Sequence, residues 1–168
     1  MIVSFIVALS ENSVIGAGNR LPWRLPDDMK WFRRHTLGKP MIMGRRTFES
    51  FGSRPLPERP NIILTRTPGF SAPGCIIVES PAAALAAAAP APEVMVIGGE
   101  AVFRLYLDQV ERLYLTRVHA TIDGDTSFPA TNTSEWAETY REEHPADARH
   151  AYAFSWVILE KRRVAGGA

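Results

Sequence analysis

Short apolar runs bounded by proline, glycine or charged residues recur through the first hundred positions of the chain. They cover residues 2–9, 40–43, 61–64, 75–78 and 94–97. Runs of this length that are apolar almost throughout are typical of strands buried on both faces, as in a parallel sheet. Helical stretches alternate with them at residues 26–35, 47–51, 81–89 and 101–107. The alternation predicts a βαβ arrangement.

The pattern changes after residue 110. Residues 112–118, 135–143 and 151–161 have strand character with no helix between them, so this part of the sheet is expected to be antiparallel. The fold class predicted is α/β, with a central, mostly parallel sheet, antiparallel C-terminal strands and about four flanking helices. A length of 168 residues fits one domain. We expect it to span residues 1–161, followed by a short frayed tail at 162–168.

The helix predicted at residues 26–35 carries an acid among apolar neighbours. Pro26 fits the first helical turn, where its missing N–H has no partner to lose. Helical spacing then places Asp28, Phe32 and His35 on one face with Met29 beside them. Asp27 and Trp31 project from the neighbouring stripe. Viewed alone, the two acids are better explained as complements to the helix dipole, worth roughly 0.3–1 kcal/mol each.

Composition and charge exclude several classes of function. The chain is 46% hydrophobic and 22% charged, and its formal net charge of +1 argues against general nucleic-acid binding. Cys75 is the only cysteine, so neither an internal disulfide nor a multi-cysteine metal site is possible. The apolar start is too short to span a bilayer and is interpreted as a buried strand. We therefore expect a cytoplasmic protein with no metal and no membrane partner.

Three predicted strand ends carry groups suited to anions. Residues 43–47 supply amides, a hydroxyl and two guanidinium groups, residues 64–66 are similar, and Gly98-Gly99 permits close backbone approach before a helix. Gly98-Gly99 alone is equally consistent with a tight turn. The Rossmann fingerprint is absent, because Gly16-Ala17-Gly18 lacks the third glycine and the strand-to-helix context. Dinucleotide binding therefore cannot be argued from that motif.

A series of short motifs spans almost the whole chain. They are Val14-Ile15-Gly16, Leu21-Pro22-Trp23, Leu25-Pro26-x-Asp28, Ile42-Met43-Gly44-Arg45-Arg46-Thr47, Arg54-Pro55-Leu56-Pro57-Glu58-Arg59-Pro60-Asn61, Ile97-Gly98-Gly99, Gly124-Asp125-Thr126 and Phe128-Pro129. The order of these motifs, and nearly all of their spacing, resemble those of the bacterial-type dihydrofolate reductases over about residues 2–161. This match favours a functional role for Asp28 over the simple dipole explanation.

The resemblance implies a fold, a cofactor and a reaction. The sheet would have eight strands, and the enzyme would reduce 7,8-dihydrofolate to tetrahydrofolate for one-carbon metabolism, with NADPH as hydride donor to pterin C6 and protonation at N5. Residues implied on the cofactor side are Ala8, Ile15, Gly16, Asn19, Arg20, Leu21, Gly44, Arg45, Arg46, Thr47, Thr65, Arg66, Ile97, Gly98, Gly99, Glu100, Ala101, Val102 and Phe103. Residues implied on the substrate side are Ile6, Asp28, Met29, Phe32, Phe51, Arg54, Leu56, Arg59, Ile97 and Thr116. Those implied in catalysis are Asp28, Leu21, Trp23 and Thr116.

Roles follow by the same resemblance. Asp28 would pair with N3–H and the 2-amino group of the pterin, because a carboxylate accepts two parallel N–H bonds from such an edge. The hydroxyl of Thr116 would hold that carboxylate. Arg59, with Arg54 nearby, would clamp the α-carboxylate of the glutamate tail.

On the cofactor side, Arg45, Thr65 and Arg66 would surround the 2′-phosphate of the adenosine. Arg46, Thr47 and residues 98–103 would flank the pyrophosphate. Residues 10–23 would form a lid, which Gly124-Asp125 could latch through hydrogen bonds to its backbone.

Three positions depart from the family pattern. Phe103 stands where many relatives have tyrosine, so no hydroxyl is available there. Glu100 adds a negative charge close to the proposed phosphates unless it points away from them. The loop before Arg54 is one residue longer than in some relatives, which makes Arg54 the less secure of the two arginines.

Two other functions remain open from the sequence. One is a reductase of the same fold acting on a ribosylated pyrimidine, although Asp28 and Leu56-Pro57-Glu58-Arg59 argue against it. The other is a nucleotide-binding module without turnover. Whether Asp28 donates a proton directly or through water is also open, and a monomer is the expected oligomeric state.

Overall fold

Strand β1 (Ile2–Ser10) lies at the centre of an eight-stranded sheet in the computed structural model, which describes residues 1–162. It pairs in parallel with β6 (Glu93–Gly98) on one side and with β7 (Arg112–Val118) on the other. The parallel half continues outward from β6 through β3 (Met41–Gly44), β4 (Asn61–Leu64) and β5 (Cys75–Val78).

The other half of the sheet is antiparallel. Strand β10 (Phe154–Lys161) pairs antiparallel with β7, and β9 (Trp136–His144) pairs antiparallel with β10. The strand order is β5-β4-β3-β6-β1-β7-β10-β9. Four α-helices accompany the sheet: α1 (Pro26–Thr36), α2 (Arg45–Ser50), α3 (Pro81–Ala88) and α4 (Glu100–Leu105). The predicted α/β fold is confirmed.

Side-chain alternation along β1 supplies an apolar core to each face of the sheet. Phe5 and Leu9 pack on one face with Phe103, whereas Ile6 packs on the other with Trp31. Both faces are thereby covered, which explains why the strands are apolar almost throughout. The face that includes Trp31 is the one against which α1 lies.

Several element boundaries differ from those predicted. Helices α2 and α4 begin at Arg45 and Glu100, earlier than the predicted 47 and 101, because Gly44 at the end of β3 and Gly99 directly after β6 serve as their N-caps. Strand β9 begins at Trp136, since a 3-10 turn over Thr133–Glu135 precedes it. Strand β10 begins three residues later than predicted, because the chain turns between Asp147 and His150, which form a bridge.

A small second sheet was not predicted. It pairs β2 (Val14–Gly16) with β8 (Thr126–Ser127), and strands of three and two residues are too short to give a periodic pattern. Of the predicted tail, Arg162 donates its backbone N–H to the carbonyl of Glu135 at 2.7 Å, and residues 163–168 lie outside the described part. No helix within residues 1–162 has the length and apolar character needed to cross a membrane.

Candidate functional site

Helix α1 presents Asp28 to the central strands of the sheet. The helix starts at Pro26, and its N-cap Leu25 provides no side-chain hydrogen bond. Within the first turn, Oδ1 of Asp28 accepts a hydrogen bond from the Thr116 hydroxyl at 2.5 Å and a second from Trp156 Nε1 at 3.0 Å. The structure therefore brings Asp28 and Thr116 together and adds an indole donor that the sequence did not indicate.

The environment of Asp28 changes its proton affinity. Burial, the largest influence, raises the pKa of this carboxyl above its usual 3.8, because the charged form loses water contact. Hydrogen bonds from Thr116 and Trp156 and the nearby His150 act in the opposite direction, and the net result is still a raised pKa. A carboxyl of this kind can hold a proton closer to neutral pH than an exposed aspartate does.

A cavity of about 330 Å³ opens beside Asp28. It is lined by Leu21, Trp23, Arg24, Leu25, Pro26, Asp28 and Met29. Trp23 is only 7% exposed, and within residues 1–162 its indole nitrogen has no hydrogen-bond partner. A bound molecule or a water in the cavity could supply that partner.

Met29 differs from its predicted position. It was expected to help enclose Asp28, but it is 59% exposed and lies at the rim of the cavity. Trp31, which was placed on the neighbouring stripe, is instead the most buried apolar residue of α1, at 2% exposure. The helix is rotated so that Trp31 faces the sheet, and its ring stacks on Trp156 with centroids 4.8 Å apart. His35 packs on Trp31 and Tyr114 and is absent from the cavity lining.

The remaining apolar residues proposed for the substrate lie along one surface. Ile6 is in the buried cluster on the α1 face, and Phe32, Leu56 and Ile97 pack against that cluster. Phe51 lies further out, 36% exposed, with its ring centroid 6.5 Å from that of Phe32. These side chains form an apolar wall that extends from the central strands towards solvent.

Arg59 is held in a fixed position next to this wall. Its Nε donates to the carbonyl of Pro57 at 2.9 Å, and one terminal nitrogen donates to the hydroxyl of Thr36 at 2.9 Å. Partial burial, followed by the nearby Arg33, lowers the pKa of the guanidinium, and Glu58 opposes this shift. Arg54 is exposed, and no hydrogen bond or ion pair joins it to another described residue.

Asn61 positions the loop that carries Leu56 and Arg59. Its side-chain oxygen accepts the N–H of Leu56 at 3.0 Å, and its amide nitrogen donates to the carbonyls of Leu56 and Arg59 at 2.9 and 2.8 Å. Asn61 is 2% exposed, so these bonds are protected from water. Asn61 lies in the motif at residues 54–61, and no role was predicted for it.

Glycines border the proposed cofactor side where β3 and β6 end. A Cβ atom added to Gly44 would lie 3.2 Å from Val102, and one added to Gly98 would lie 3.5 Å from Phe103 and 3.6 Å from the hydroxyl of Thr47. Gly98 also has φ of +126°, a conformation that L side chains rarely adopt. Both strand ends therefore need glycine, because a side chain at Gly44 or Gly98 would crowd α4 or Thr47.

Val102 and Phe103 themselves lie in the core, at 6% and 1% exposure, with Phe103 packed on Phe5 and Phe128. Only their backbone can contribute to a ligand site. Ala8 and Ala101 lie nearer the surface, the latter exposed.

A polar cluster joins the ends of β3 and β4. Arg45 donates to Glu49 at 3.1 Å and to the Thr67 hydroxyl at 3.2 Å, and Thr67 also accepts from Thr65 at 3.0 Å. Arg66 is exposed beside it. The cluster thus brings Arg45, Thr65 and Arg66 together. Thr67 was missed, because nothing in its sequence context distinguishes it from an ordinary loop threonine.

The proposed lid is tied to the second small sheet. Asp125 accepts the N–H of Gly18 at 3.0 Å, and its own N–H donates to the carbonyl of Gly16 at 3.1 Å. Ile15 and Gly16 lie in β2, whereas Asn19, Arg20 and Leu21 are exposed at the bend that follows. Arg46, exposed on α2, contributes to lowering the pKa of Asp125, after the hydrogen bonds from Gly18 and Thr126.

The carboxylate of Glu100 is bound to β8 and to the next turn of α4. One carboxylate oxygen accepts the N–H of Ser127 at 2.9 Å, and the other lies 3.4 Å from Arg104. Its negative charge is therefore compensated locally, and it links α4 to β8.

Comparisons with known proteins agree with this geometry. A family model described as dihydrofolate reductase matches residues 2–161. A dihydrofolate reductase type 3 of Salmonella typhimurium is 45% identical over 163 residues, covering 97% of this chain and 100% of that protein. A dihydrofolate reductase of Haemophilus influenzae is 44% identical over 162 residues, covering 96% and 100%. A solved dihydrofolate reductase from Enterococcus faecalis, complexed with NADP(H) and RAB-propyl, superposes with a TM-score of 0.89 at 36% identity, covering 96% of this chain and 97% of that one.

Proposed function

Because the chain belongs to the dihydrofolate reductase family, we propose that it reduces 7,8-dihydrofolate to tetrahydrofolate with NADPH, and that Asp28 is the residue that binds and polarises the pterin. The observation that carries the assignment of Asp28 is its position. It is the one carboxyl in the cavity lining, and its pKa is raised by burial. Bound NADPH would supply the hydride for C6 of the pterin, and the protein supplies alignment and electrostatics.

The cavity gives Asp28 the setting that its task requires. A carboxylate can accept two parallel N–H bonds from the N3 and 2-amino edge of a pterin. Trp23 and Leu25, both buried, place apolar surface beside the carboxyl and reduce its contact with water, while Leu21 and Met29 lie at the rim of the cavity. Thr116 would keep the carboxyl in place, and a proton held on it would be available to the N5 side of the ring, directly or through water.

Arg59 and the apolar wall suit the rest of the substrate. Ile6, Phe32, Phe51, Leu56 and Ile97 would contact the ring system and its aromatic extension. Two of the N–H groups of Arg59 are committed to Pro57 and Thr36, which fixes the plane of the guanidinium. The other terminal nitrogen would bind the α-carboxylate of the glutamate tail. Arg54 would add charge attraction from the surface.

The glycine-containing strand ends suit NADPH. A side chain at Gly44 or Gly98 would crowd Val102 or Phe103, so the backbone alone borders this region, and the Thr47 hydroxyl lies near Gly98 and Gly99. Arg45, Thr65 and Arg66 would hold the 2′-phosphate, and Arg46 would attract the pyrophosphate. Ala8, Ile15, Asn19, Arg20 and Leu21 would border the nicotinamide, with the backbone of Glu100, Ala101, Val102 and Phe103 beyond it.

The direct test is an absorbance assay of NADPH oxidation with purified protein and dihydrofolate. We expect oxidation that depends on dihydrofolate. Turnover of a ribosylated pyrimidine in its place would support the rival reductase, and binding of NADPH without oxidation of it would support a binding module. The proposal also includes a monomer in the cytoplasm, in agreement with a single free thiol at Cys75. Size-exclusion chromatography with light scattering tests the oligomeric state.

Cofactor choice tests the basic cluster. Charge-assisted hydrogen bonds contribute about 1.5–3 kcal/mol each, so NADPH should be preferred to NADH by roughly tenfold or more. The double change Arg45→Ala, Arg66→Ala should remove most of that preference, measured as the ratio of kcat/KM for the two cofactors. Arg34→Ala, an exposed arginine on α1, serves as the charge control. Equal use of both cofactors by the unmodified protein would contradict these roles.

A further inference from the structure

Trp156 donates its indole N–H to the same carboxylate oxygen as Thr116. Trp156 and Thr116 stand directly opposite each other across the antiparallel pair β7 and β10. Side chains of such a pair project from the same face of the sheet, here the face covered by α1. The two donors therefore converge on Oδ1 of Asp28, at 2.5 Å from Thr116 and 3.0 Å from Trp156.

The indole has little freedom to leave this position. It is 5% exposed and stacks on Trp31, with centroids 4.8 Å apart and an interplanar angle of 9°. The ring of His144 packs on it at 4.2 Å. By contrast, the indole nitrogens of Trp23 and Trp31 are buried without a hydrogen-bond partner among residues 1–162. Of these three neighbouring indoles, Trp156 is the one directed at Asp28.

The two oxygens of the Asp28 carboxylate have different hydrogen-bond partners. Oδ1 takes both protein donors, whereas no group within the described residues donates to Oδ2. A planar group anchored through one atom by two donors cannot rotate freely about its terminal bond. The other oxygen is then held in one orientation for a ligand.

We propose that Trp156 is a positioning residue of the reductase, whose indole N–H acts with the Thr116 hydroxyl to hold the Asp28 carboxyl in one orientation towards the N–H groups of the pterin edge. This inference rests on the proposed function for its catalytic consequence. The hydrogen bond itself can be tested without substrate.

Other charged groups near Asp28 must be considered before its titration is interpreted. His150, in the loop before β10, is the charged group that acts on the Asp28 carboxyl within the described part of the chain. Asp27 on the same helix accepts from Arg149 at 2.9 Å and lies 3.9 Å from Lys30. Strand β1 contains no ionisable side chain, and on β7 and β10 Arg112 is paired with Glu160 at 2.9 Å. A change of Trp156 leaves all of these groups in place.

The first experiment follows the indole N–H resonances of the whole, ligand-free protein by nitrogen-15 NMR as pH is varied. We expect the Trp156 N–H to shift with the titration of Asp28 and to lose that response in Asp28→Asn. His150→Gln, examined in parallel, should keep the response, which separates Asp28 from the neighbouring histidine. A Trp156 resonance that ignores the Asp28→Asn change would overturn the proposal.

The second experiment measures hydride transfer against pH in Trp156→Phe, which retains an aromatic ring in the stack but has no donor. Removing a hydrogen bond that favours the charged carboxyl should move the midpoint of the profile to higher pH. Affinity for dihydrofolate should fall by roughly tenfold, with NADPH affinity unchanged.

Trp31→Phe is the matched control, because it shortens the adjacent indole of the same stack without removing a bond to Asp28. Its pH midpoint should stay at the wild-type value. Equal midpoints in both variants would contradict the positioning role. Absence of any dihydrofolate reduction by the wild-type protein would instead contradict the proposed function, and the NMR result would still stand.

Discussion

The carboxyl of Asp28 experiences opposing influences within a few ångströms. Burial raises its pKa, and the donors Thr116 and Trp156 lower it, with burial the larger. A carboxyl with this balance can ionise to accept the N–H groups of the pterin edge and can hold a proton at moderately acidic pH. The rate of hydride transfer should therefore fall as pH rises through the raised pKa of Asp28.

Replacement of Asp28 by asparagine tests whether the charge and the proton of this side chain are needed for hydride transfer. Asn keeps the shape of the side chain and an oxygen acceptor but removes both the charge and the acid. Single-turnover hydride transfer should fall roughly 10²-fold or more, the scale of general acid–base catalysis, with little change in NADPH binding. Asp27→Asn is the control, since the Asp27 carboxylate accepts from Arg149, its backbone N–H donates to His150 Nε2, and the residue does not line the cavity. A larger loss in the Asp27 variant would reverse the assignment.

The same variant should be no less stable than the wild type. A carboxyl whose pKa is raised by folding contributes stability below its unfolded value of 3.8, and that contribution is lost as pH rises through the folded pKa. At neutral pH the ionised, buried Asp28 is therefore a cost that asparagine avoids. Urea unfolding at pH 7 should give Asp28→Asn an equal or greater free energy of unfolding, and the difference should shrink in acid.

The role of Arg59 can be tested by comparing the binding of two ligands, one with and one without the glutamate tail. If it binds the glutamate tail, Arg59→Ala should weaken dihydrofolate binding by roughly 2 kcal/mol and leave a pterin without the tail unaffected. Thr36→Val removes one of the two bonds that hold Arg59 and should reproduce part of the effect. Fluorescence titration with both ligands measures it. An equal loss for both would point to a folding defect.

At the scale of elements, local signals located helices well and their orientation less well. Pro26 as the first residue of α1, and Ser80 with Pro81 at the start of α3, follow from capping rules that act within a few residues. The rotation of α1 does not follow from such rules. Trp31 is its most buried apolar residue because Trp156 and Tyr140, distant in sequence, offer aromatic rings to stack on.

The missed partners of the candidate site share a physical cause. Trp156 reaches Asp28 through the register of β10 on β7, Asn61 positions Leu56 and Arg59 by bonds across a loop, and Thr67 lies between Arg45 and Thr65. Each role depends on a three-dimensional arrangement that no local spacing encodes. By contrast, the family resemblance predicted Asp28 and Thr116 as partners, although they are 88 residues apart in the chain.

The hydrogen bond between Gly18 and Asp125 predicts how the lid, residues 10–23, affects the reaction. Asp125 accepts the Gly18 N–H, and this hydrogen bond is the largest influence lowering the pKa of its carboxyl, so the charged form is favoured when the contact is made. Asp125→Asn should weaken the contact and lower the rate of hydride transfer more than it lowers affinity for dihydrofolate. Stopped-flow measurement of the hydride step, with ligand binding measured separately, gives this comparison.

Asp123→Asn is the matched control for the lid, because Asp123 is exposed two residues away and makes no hydrogen bond or ion pair within the described chain. It should behave as the wild type does. The latch role of Asp125 would be untenable if the two variants had the same hydride-transfer rate.

For the molecule as a whole, two ionisable groups packed against the sheet make the free energy of unfolding depend on pH in opposite directions. Asp28 lowers stability at neutral pH, where its buried carboxyl is ionised, whereas His35 lowers stability in acid. Burial, followed by Lys39 and Arg34, lowers the pKa of His35 from 6.5 to about 4. Its Nε2 is buried with no hydrogen-bond partner in the part of the chain that the structure describes.

The unfolded chain therefore binds a proton at His35 more readily than the folded protein does. The contribution of His35 to the free energy of unfolding should have its full value above pH 6.5 and should decrease as pH falls towards about 4. With allowance for partial exposure, we expect His35 to account for about 1–2 kcal/mol of this loss.

His35→Phe keeps a ring against Trp31 and Tyr114 but cannot bind the proton, so its unfolding free energy should decline less steeply between these pH values. His119→Gln, at a surface position, should retain the wild-type slope, and urea unfolding across this range compares the three proteins. Parallel slopes for His35→Phe and wild type would show that the acid sensitivity comes from the carboxylates instead.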